Sequence, residues 1–518
     1  MANFQLFAPF RRQAPLAAAV NEAGGLAYLR DPRAALALYA STGCLNGTFY
    51  ADDEQQLAQV LALCARVDAG FVARVAIHAR CRGYMKDMPA LLLATLASRD
   101  LDVFARAFPR VVDNGRMLRN VVQILRSGRT GRRSLGSLPK RLVRQWLERA
   151  SAGQIVQAAI GAQPSLADVI RMVHPKPADA GREALYAWVI GRPYREDALP
   201  PTLREYEAFK RSPQGPLPDL PFQYFTSLPL QREHWIALAR RVSWQTLRMH
   251  LNTFARNGVF EEAAMVDEVA ARLSDPEQIR RARVFPYQLL AARNATAGLP
   301  ATIAQALDRA LEVATRQVPV LPGRVVIAVD VSGSMASPVS GWRGGATSKV
   351  RCVDVAALVA ACVRRGNPQA RVLPFDTQVR DVALADNASV LEQAAQLAAL
   401  CCGGTTVSAP LALLNRKRAE VDLVVLVSDN MSWCETRQHG ATETMRQWQL
   451  LKQRCPDARL VCIDLQPATT SQLVEQADVL HVGGFSDAVF GLLGDYAARG
   501  KEAAHWVERI EAIDLLPN

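Results

Sequence analysis

The stretch from Val325 to Met335, V-V-I-A-V-D-V-S-G-S-M, limits the fold more than any other part of the chain. Its apolar run up to Val329 describes a strand buried on both faces, the pattern of a parallel sheet covered by helices, and the run ends on an acid. Asp330, Ser332 and Ser334 then offer one carboxylate and two neutral oxygens from a single turn. Such hard donors suit Mg²⁺, or Mn²⁺ as the second choice. Three donors do not fill an octahedral shell. Two more stand where a parallel α/β sheet gathers its ligands, outside the carboxyl ends of strands at a switch in strand order. These are Thr405, in the loop Gly403-Gly404-Thr405, and Asp429, at the end of the strand Leu423–Val427. A strand followed by a capped helix also favours Ser and Asp, but it gives no reason for G-G-T and S-D-N to fall on the right elements in the right order.

The remainder of this second part alternates strand and helix. Strands are expected at Val325–Val329, Ala370–Phe375, Leu423–Val427 and Leu460–Ile463, and helices near Cys352–Val363, Val390–Leu400 and Thr442–Gln453, which is a doubly wound sheet. Residues 15–320 read differently, as helix after helix. Leu57, Val60, Leu61 and Cys64 keep a 3.6-residue period, as do Leu91–Leu96, Val103–Phe108 and Leu118–Leu125. Short turns between them suggest stacked helix pairs. Seven prolines between Pro200 and Pro229 suggest an extended crossing loop. We therefore divide the chain of 518 residues into a helical part, 1–320, and an α/β part, 321–518, across the proline-containing hinge Thr315–Gly323.

Charge separates the same two parts. Residues 1–320 carry 42 Lys and Arg against 28 Asp and Glu, a net of +14, and residues 321–518 carry 19 against 21, a net of −2. A compositional bias of the genome would spread over both, so the asymmetry points to a polyanionic partner for the helical part, nucleic acid being the commonest. Between Arg110 and Arg149, eleven basic residues face only Asp113 and Glu148. Arg119, Arg126, Arg132, Arg133, Lys140, Arg141 and Arg144 belong to this run, around a Gly/Ser-rich loop, Ser127–Ser137, able to add backbone donors to a phosphate site. A solvated helix face normally mixes signs; this one hardly does. The ten cysteines form no C-x-x-C pair, the start is not a signal peptide, and no apolar run approaches the roughly 18 residues of a membrane span. A cytoplasmic protein with reduced thiols is the expectation.

Several stretches carry a family resemblance. N-E-A-G-G at Asn21–Gly25, T-G-C-L-N-G-T-F-Y at Thr42–Tyr50, Y-M-K-D-M-P-A at Tyr84–Ala90, H-P-K-P at His174–Pro177, L-N-T-F-A-R-N-G-V-F at Leu251–Phe260 and R-A-R-V-F-P-Y at Arg281–Tyr287 resemble the TROVE module of the Ro autoantigen family. The set around Asp330 resembles the metal-ion-dependent adhesion site of von Willebrand factor A domains, with S-D-N where T-D-G is more usual and Thr406 where relatives can carry an acid. The resemblance implies a ring of HEAT-like helical repeats joined to a Rossmann-like von Willebrand factor A domain. It implies Y RNA on the ring's outer surface, at the positions of Lys140, Arg141 and His174, and single-stranded 3′ ends of misfolded noncoding RNA in the central hole. It further implies an exoribonuclease such as polynucleotide phosphorylase as an indirect partner, and direct metal ligation by Ser332, Ser334 and Thr405 with one position open.

The expectation is thus a noncatalytic, monomeric RNA-binding ring of RNA quality control, whose metal site takes the acidic group of a protein partner. Two rivals stand beside it. One is a protein-interaction module that works through the metal alone. The other is an RNA-processing enzyme, which the absence of a His or Lys base in the motif disfavours.

Overall fold

The computed structural model describes residues 14–515 apart from 44, 162, 316–317, 342–349, 433, 435–440, 485–486 and 500–504. From position 342 onward the Gly/Ser-rich loop beside the expected metal site therefore lies outside the described residues.

Helices dominate up to Ala314, many of them started by local chemistry. Asp52 accepts from the Gln55 amide while the Gln55 side chain accepts from the Asp52 amide, which opens the helix Asp53–Arg66. Ser151 and Ser165 do the same for Ala152–Ala158 and Leu166–Val173. Neighbouring helices pack in pairs, Ala69–Cys81 on Asp87–Arg99 and Ala263–Ser274 on Ala301–Ala314 among them. The run closes on itself. Tyr84, after the Ala69–Cys81 helix, accepts a 2.9 Å hydrogen bond from Arg283 and lies 6.0 Å from the ring of Phe285.

Two expectations for this part need correction. The described residues do not open on helix: strands β1 (Ala19–Val20) and β2 (Leu26–Leu29) form an antiparallel pair. Nor is the proline-rich stretch loop throughout. Pro200 and Pro201 open a helix, Pro201–Arg211, because proline's fixed φ suits the first turn, where its missing N–H has no partner to lose. The extended path begins only at Ser212.

Beyond the hinge, β3 (Val325–Asp330), β4 (Arg371–Phe375), β5 (Leu423–Ser428), β6 (Arg459–Asp464) and β8 (Val479–Gly483) make one parallel sheet in the order β4-β3-β5-β6-β8. Strand β8 was not among those expected. A short strand, β7 (Thr470–Ser471), leaves this sheet and pairs with β2, so the N-terminal residues extend onto the α/β part. Both β3 and β5 are buried throughout, which is why they read as unbroken apolar runs. Val325, Ile327 and Val329 join the larger hydrophobic cluster, which runs from the helix Cys352–Gly366 into the helical part, whereas Val326 and Ala328 pack with Trp448 and Leu451 on the other face. On the first face the sheet packs against Cys352–Gly366, and the helical part meets its β8 edge through the helix Pro32–Thr42. Among the described residues, no helix is long and apolar enough to cross a membrane.

Candidate metal centre and nucleic-acid interface

The sheet brings Asp330 and Asp429 together, since β3 and β5 are adjacent and in register up to Val329 and Val427. Asp330 ends β3; its carboxylate accepts from the Ser332 amide at 2.9 Å and from the Ser428 hydroxyl at 2.5 Å. The hydroxyls of Ser332 and Ser334 are 3.3 Å apart. Thr405 arrives because its loop is tied to the same turn: the Gly333 amide donates to Gly403 O at 2.9 Å and the Cys402 amide to Val331 O at 2.8 Å. All five residues expected as ligands are buried.

Burial raises the Asp330 carboxyl above its ordinary range, and burial together with the Asp330 charge pushes Asp429 up to about 7. Two neighbouring carboxylates in a closed, hydroxyl-rich pocket are unfavourable unless a cation compensates them. Among the described residues no group of three His, Cys, Asp or Glu side chains is placed to hold a metal. A cation here would lean on two acids and three hydroxyls, a donor set that fits a hard ion such as Mg²⁺.

The S-D-N departure has a geometric reading. Ser428 supplies the hydroxyl that holds Asp330, as a threonine would. Asn430 sits in the left-handed region at φ 64, where Gly and Asn are the residues best tolerated.

Sequence reading missed three neighbours. Ser428 is one. Asp376, fully buried at the end of β4, is another; burial pushes it up but the hydrogen bonds and charge of Arg380 outweigh this and hold it low. The third is Tyr50 of the helical part, whose hydroxyl is pushed up to about 12 by burial and the Asp429 charge. Asp376 follows an expected strand and was open to discovery; no local signal marks Tyr50.

In the helical part, Lys140, Arg141 and Arg144 lie on the helix Ser137–Arg149. Arg144 donates to the Val173 carbonyl at 3.1 and 2.9 Å, which places His174 beside the turn that carries Lys140 and Arg141. His174 is exposed and holds a left-handed conformation at the end of the helix Leu166–Val173. Arg141, Arg133 and Arg126 are exposed and Lys140 half-buried; Arg132 bends back to the Leu135 carbonyl at 3.3 Å, so it shapes the loop while staying at its edge. Arg119 does not belong to this surface. Only 8 % exposed, it donates to the carbonyls of Ile160 and Pro164, at 2.5 and 3.1 Å. It occupies the same helix stripe as Leu118 and Val122, and burial lowers its guanidinium pKa.

Comparison with known proteins gives the following. Residues 324–497 match the family description of the Ro60 von Willebrand A domain. The chain is 26 % identical over 522 residues to the RNA-binding protein RO60 of Deinococcus radiodurans, covering 92 % of this chain and 94 % of that protein. It is 24 % identical over 286 residues to the RNA-binding protein RO60 of Caenorhabditis elegans, covering 50 % of this chain and 43 % of that one. The crystal structure of the Deinococcus radiodurans Ro (RSR) protein superposes with a TM-score of 0.62 at 23 % identity, over 91 % of this chain and all of that structure.

Proposed function

Because the chain belongs to the Ro family, we propose that it is a noncatalytic RNA-binding ring that holds a small structured Y RNA on its outer surface and accepts single-stranded 3′ ends of misfolded noncoding RNA in its opening. One observation carries the surface assignment: the Arg144–Val173 contact gathers half-buried Lys140 with exposed Arg141 and His174 into one basic patch, with Arg126 at the end of the preceding helix and Arg133 on the loop after it. Guanidinium and ammonium groups contribute affinity through phosphates, and RNA shape contributes the selection. In the cell this is a cytoplasmic scaffold for RNA surveillance, with an exoribonuclease recruited through the RNA.

Asp330, Ser332, Ser334, Thr405 and Asp429 would hold one Mg²⁺. When bound, the cation neutralises the Asp330–Asp429 pair and offers an open coordination position to an oxygen ligand. The chain's own groups do the rest: Ser428 and the Ser332 amide orient Asp330, and the Met431 amide, 3.2 Å from Asp429, orients the second acid.

The test is recovery of RNA cross-linked to the protein in cells, for wild type and for Lys140→Ala/Arg141→Ala/His174→Ala. One small structured RNA, enriched on wild type and lost from the variant, is expected. In vitro its affinity should fall by about 10³ between 50 and 200 mM salt if roughly six phosphates are neutralised. Equal, unselective recovery from both proteins would remove this surface and favour the metal-dependent protein-interaction reading.

A further inference from the structure

We propose that the groove flanking the helix Ser137–Arg149 is a nucleobase pocket, into which one unpaired base of an RNA lying on Lys140 and Arg141 turns against Trp146. The inference rests on the reading of Lys140, Arg141 and His174 as an RNA surface and adds a second site to it.

The groove runs between the helices Leu101–Val111 and Ser137–Arg149, and its volume of about 390 Å³ suits a small planar ligand. Phe108, Val112 and Leu142 give it an apolar side and Trp146 an aromatic one, with Gln145 and Arg149 among the polar residues that line it. Helix phase joins it to the basic patch. Residues four apart are neighbours on a helix surface, so Gln145 adjoins Arg141, and Leu142, Trp146 and Arg149 form the next stripe round the same helix. Val143 and Leu147 turn to the core instead. A strand whose phosphates meet Arg141 therefore passes the edge of the groove.

The pocket is prepared for a planar, polar occupant. Gly115 lets the start of the helix Gly115–Arg126 come so near that a Cβ there would lie 2.0 Å from Ala158 Cβ and 3.5 Å from Cη2 of Trp146, which seats the far edge of the indole. A ring already held in place loses little freedom when a base stacks on it. Among the described residues the Gln145 amide, the Trp146 indole N–H and the Arg149 guanidinium have no side-chain hydrogen-bond partner, so donors and an acceptor stand ready along one stripe. Charge favours the same occupant. Asp113, the acid on the groove, is held by Arg80 at 2.8 Å, and Glu148 accepts from the Lys176 amide at 3.4 Å, which leaves Arg149 without an acidic partner. A nucleotide answers all three groups: its ring face meets Trp146, its edge meets Gln145 and its phosphate meets Arg149.

The experiment uses the full chain and a hairpin RNA with one unpaired 5-iodouridine in its stem, compared with the same stem fully paired. Wild type should bind the first about 10-fold more tightly, the worth of one base stacked on an aromatic ring. Irradiation should join the iodinated base to Trp146, read by mass spectrometry of the tryptic peptide 145–149. Ala105→Leu, which fills the groove from its half-buried wall and removes no contact, should abolish both the preference and the cross-link while binding the paired stem as wild type does. Lys140→Ala/Arg141→Ala/His174→Ala should weaken both RNAs alike. Equal binding of the two RNAs by wild type, a cross-link elsewhere, or an unchanged preference in Ala105→Leu, with the triple variant still weakened, would overturn the pocket and leave the RNA surface standing. If the triple variant binds both RNAs as tightly as wild type, the RNA surface and the pocket fall together.

Discussion

The basic surface around Lys140 and the acidic crevice around Asp330 hold charge in opposite ways. On the surface, Arg126, Arg133 and Arg141 face water, where each charge is solvated and one loss is partly made good by neighbours. In the crevice, Asp330 and Asp429 are closed off together, and three of their four carboxylate oxygens accept from named donors. Exposed charge acts by accumulation and tolerates substitution. Buried charge acts as a unit, and removing one member leaves the others uncompensated.

Three outcomes would break or sharpen that contrast. The largest effect belongs to the crevice. Asp330→Ala should weaken Mn²⁺ binding by more than the roughly 10–100-fold that outer-shell changes cost, as read by isothermal titration calorimetry. Saturating Mg²⁺, at about 100 times its dissociation constant, should stabilise wild type by about 2.7 kcal/mol and leave Asp330→Ala unchanged. A variant that still gains stability from Mg²⁺ would show that the cation binds elsewhere.

The next effect sits inside the basic run itself. Arg119→Ala should cost about 2 kcal/mol of folding stability, because the Ile160 and Pro164 carbonyls lose a charged donor. Arg126→Ala should leave denaturant midpoints alone and lower only RNA affinity. If both variants behave alike, the division between a structural and a surface arginine is wrong.

The smallest effect concerns pH. His505 donates to the Glu475 carboxylate at 3.0 Å; this bond raises the imidazole, while on Glu475 burial pushes up and His505 and His481, with Arg30, outweigh it. Stability from the raised imidazole is complete below its ordinary pKa and is lost as pH rises through the raised value. Stability from the depressed carboxyl is complete above its ordinary pKa and is lost as pH falls through the lowered one. The pair is therefore most stabilising in mildly acidic solution. His505→Gln should flatten the pH dependence of the melting temperature there by an amount worth less than about 1 kcal/mol, the imidazole being half in water. An unchanged profile would assign the contact no electrostatic weight.

The two regions also differed in how far they were legible beforehand. That Asp330 and Asp429 lie side by side was readable because each follows a continuous apolar strand and parallel strands end on the same edge of the sheet; Thr405 follows the helix Val390–Ala398 and is brought in only by loop contacts. Arg119 was misplaced by its company: the count of basic residues ignores helix phase, although its position beside Leu118 and Val122 on the buried stripe carried the information. Strands β1, β2 and β7 left no trace, since two to four residues are too few for a period and β2 finds its partner at Thr470 and Ser471.

By itself the amino-acid sequence determined the elements with a repeating physical signature: the amphipathic helices, the buried strands and the uneven charge, each dictated by residues within a few positions of one another. Tertiary structure alone decided which charges face water, that Arg30 reaches Asp464 across the chain at 2.8 Å, and that Asn21 donates to Ser432 O at 2.8 Å. Those contacts join segments hundreds of residues apart. Their energy depends on burial and on distance in space, and neither is written in any local window of the chain.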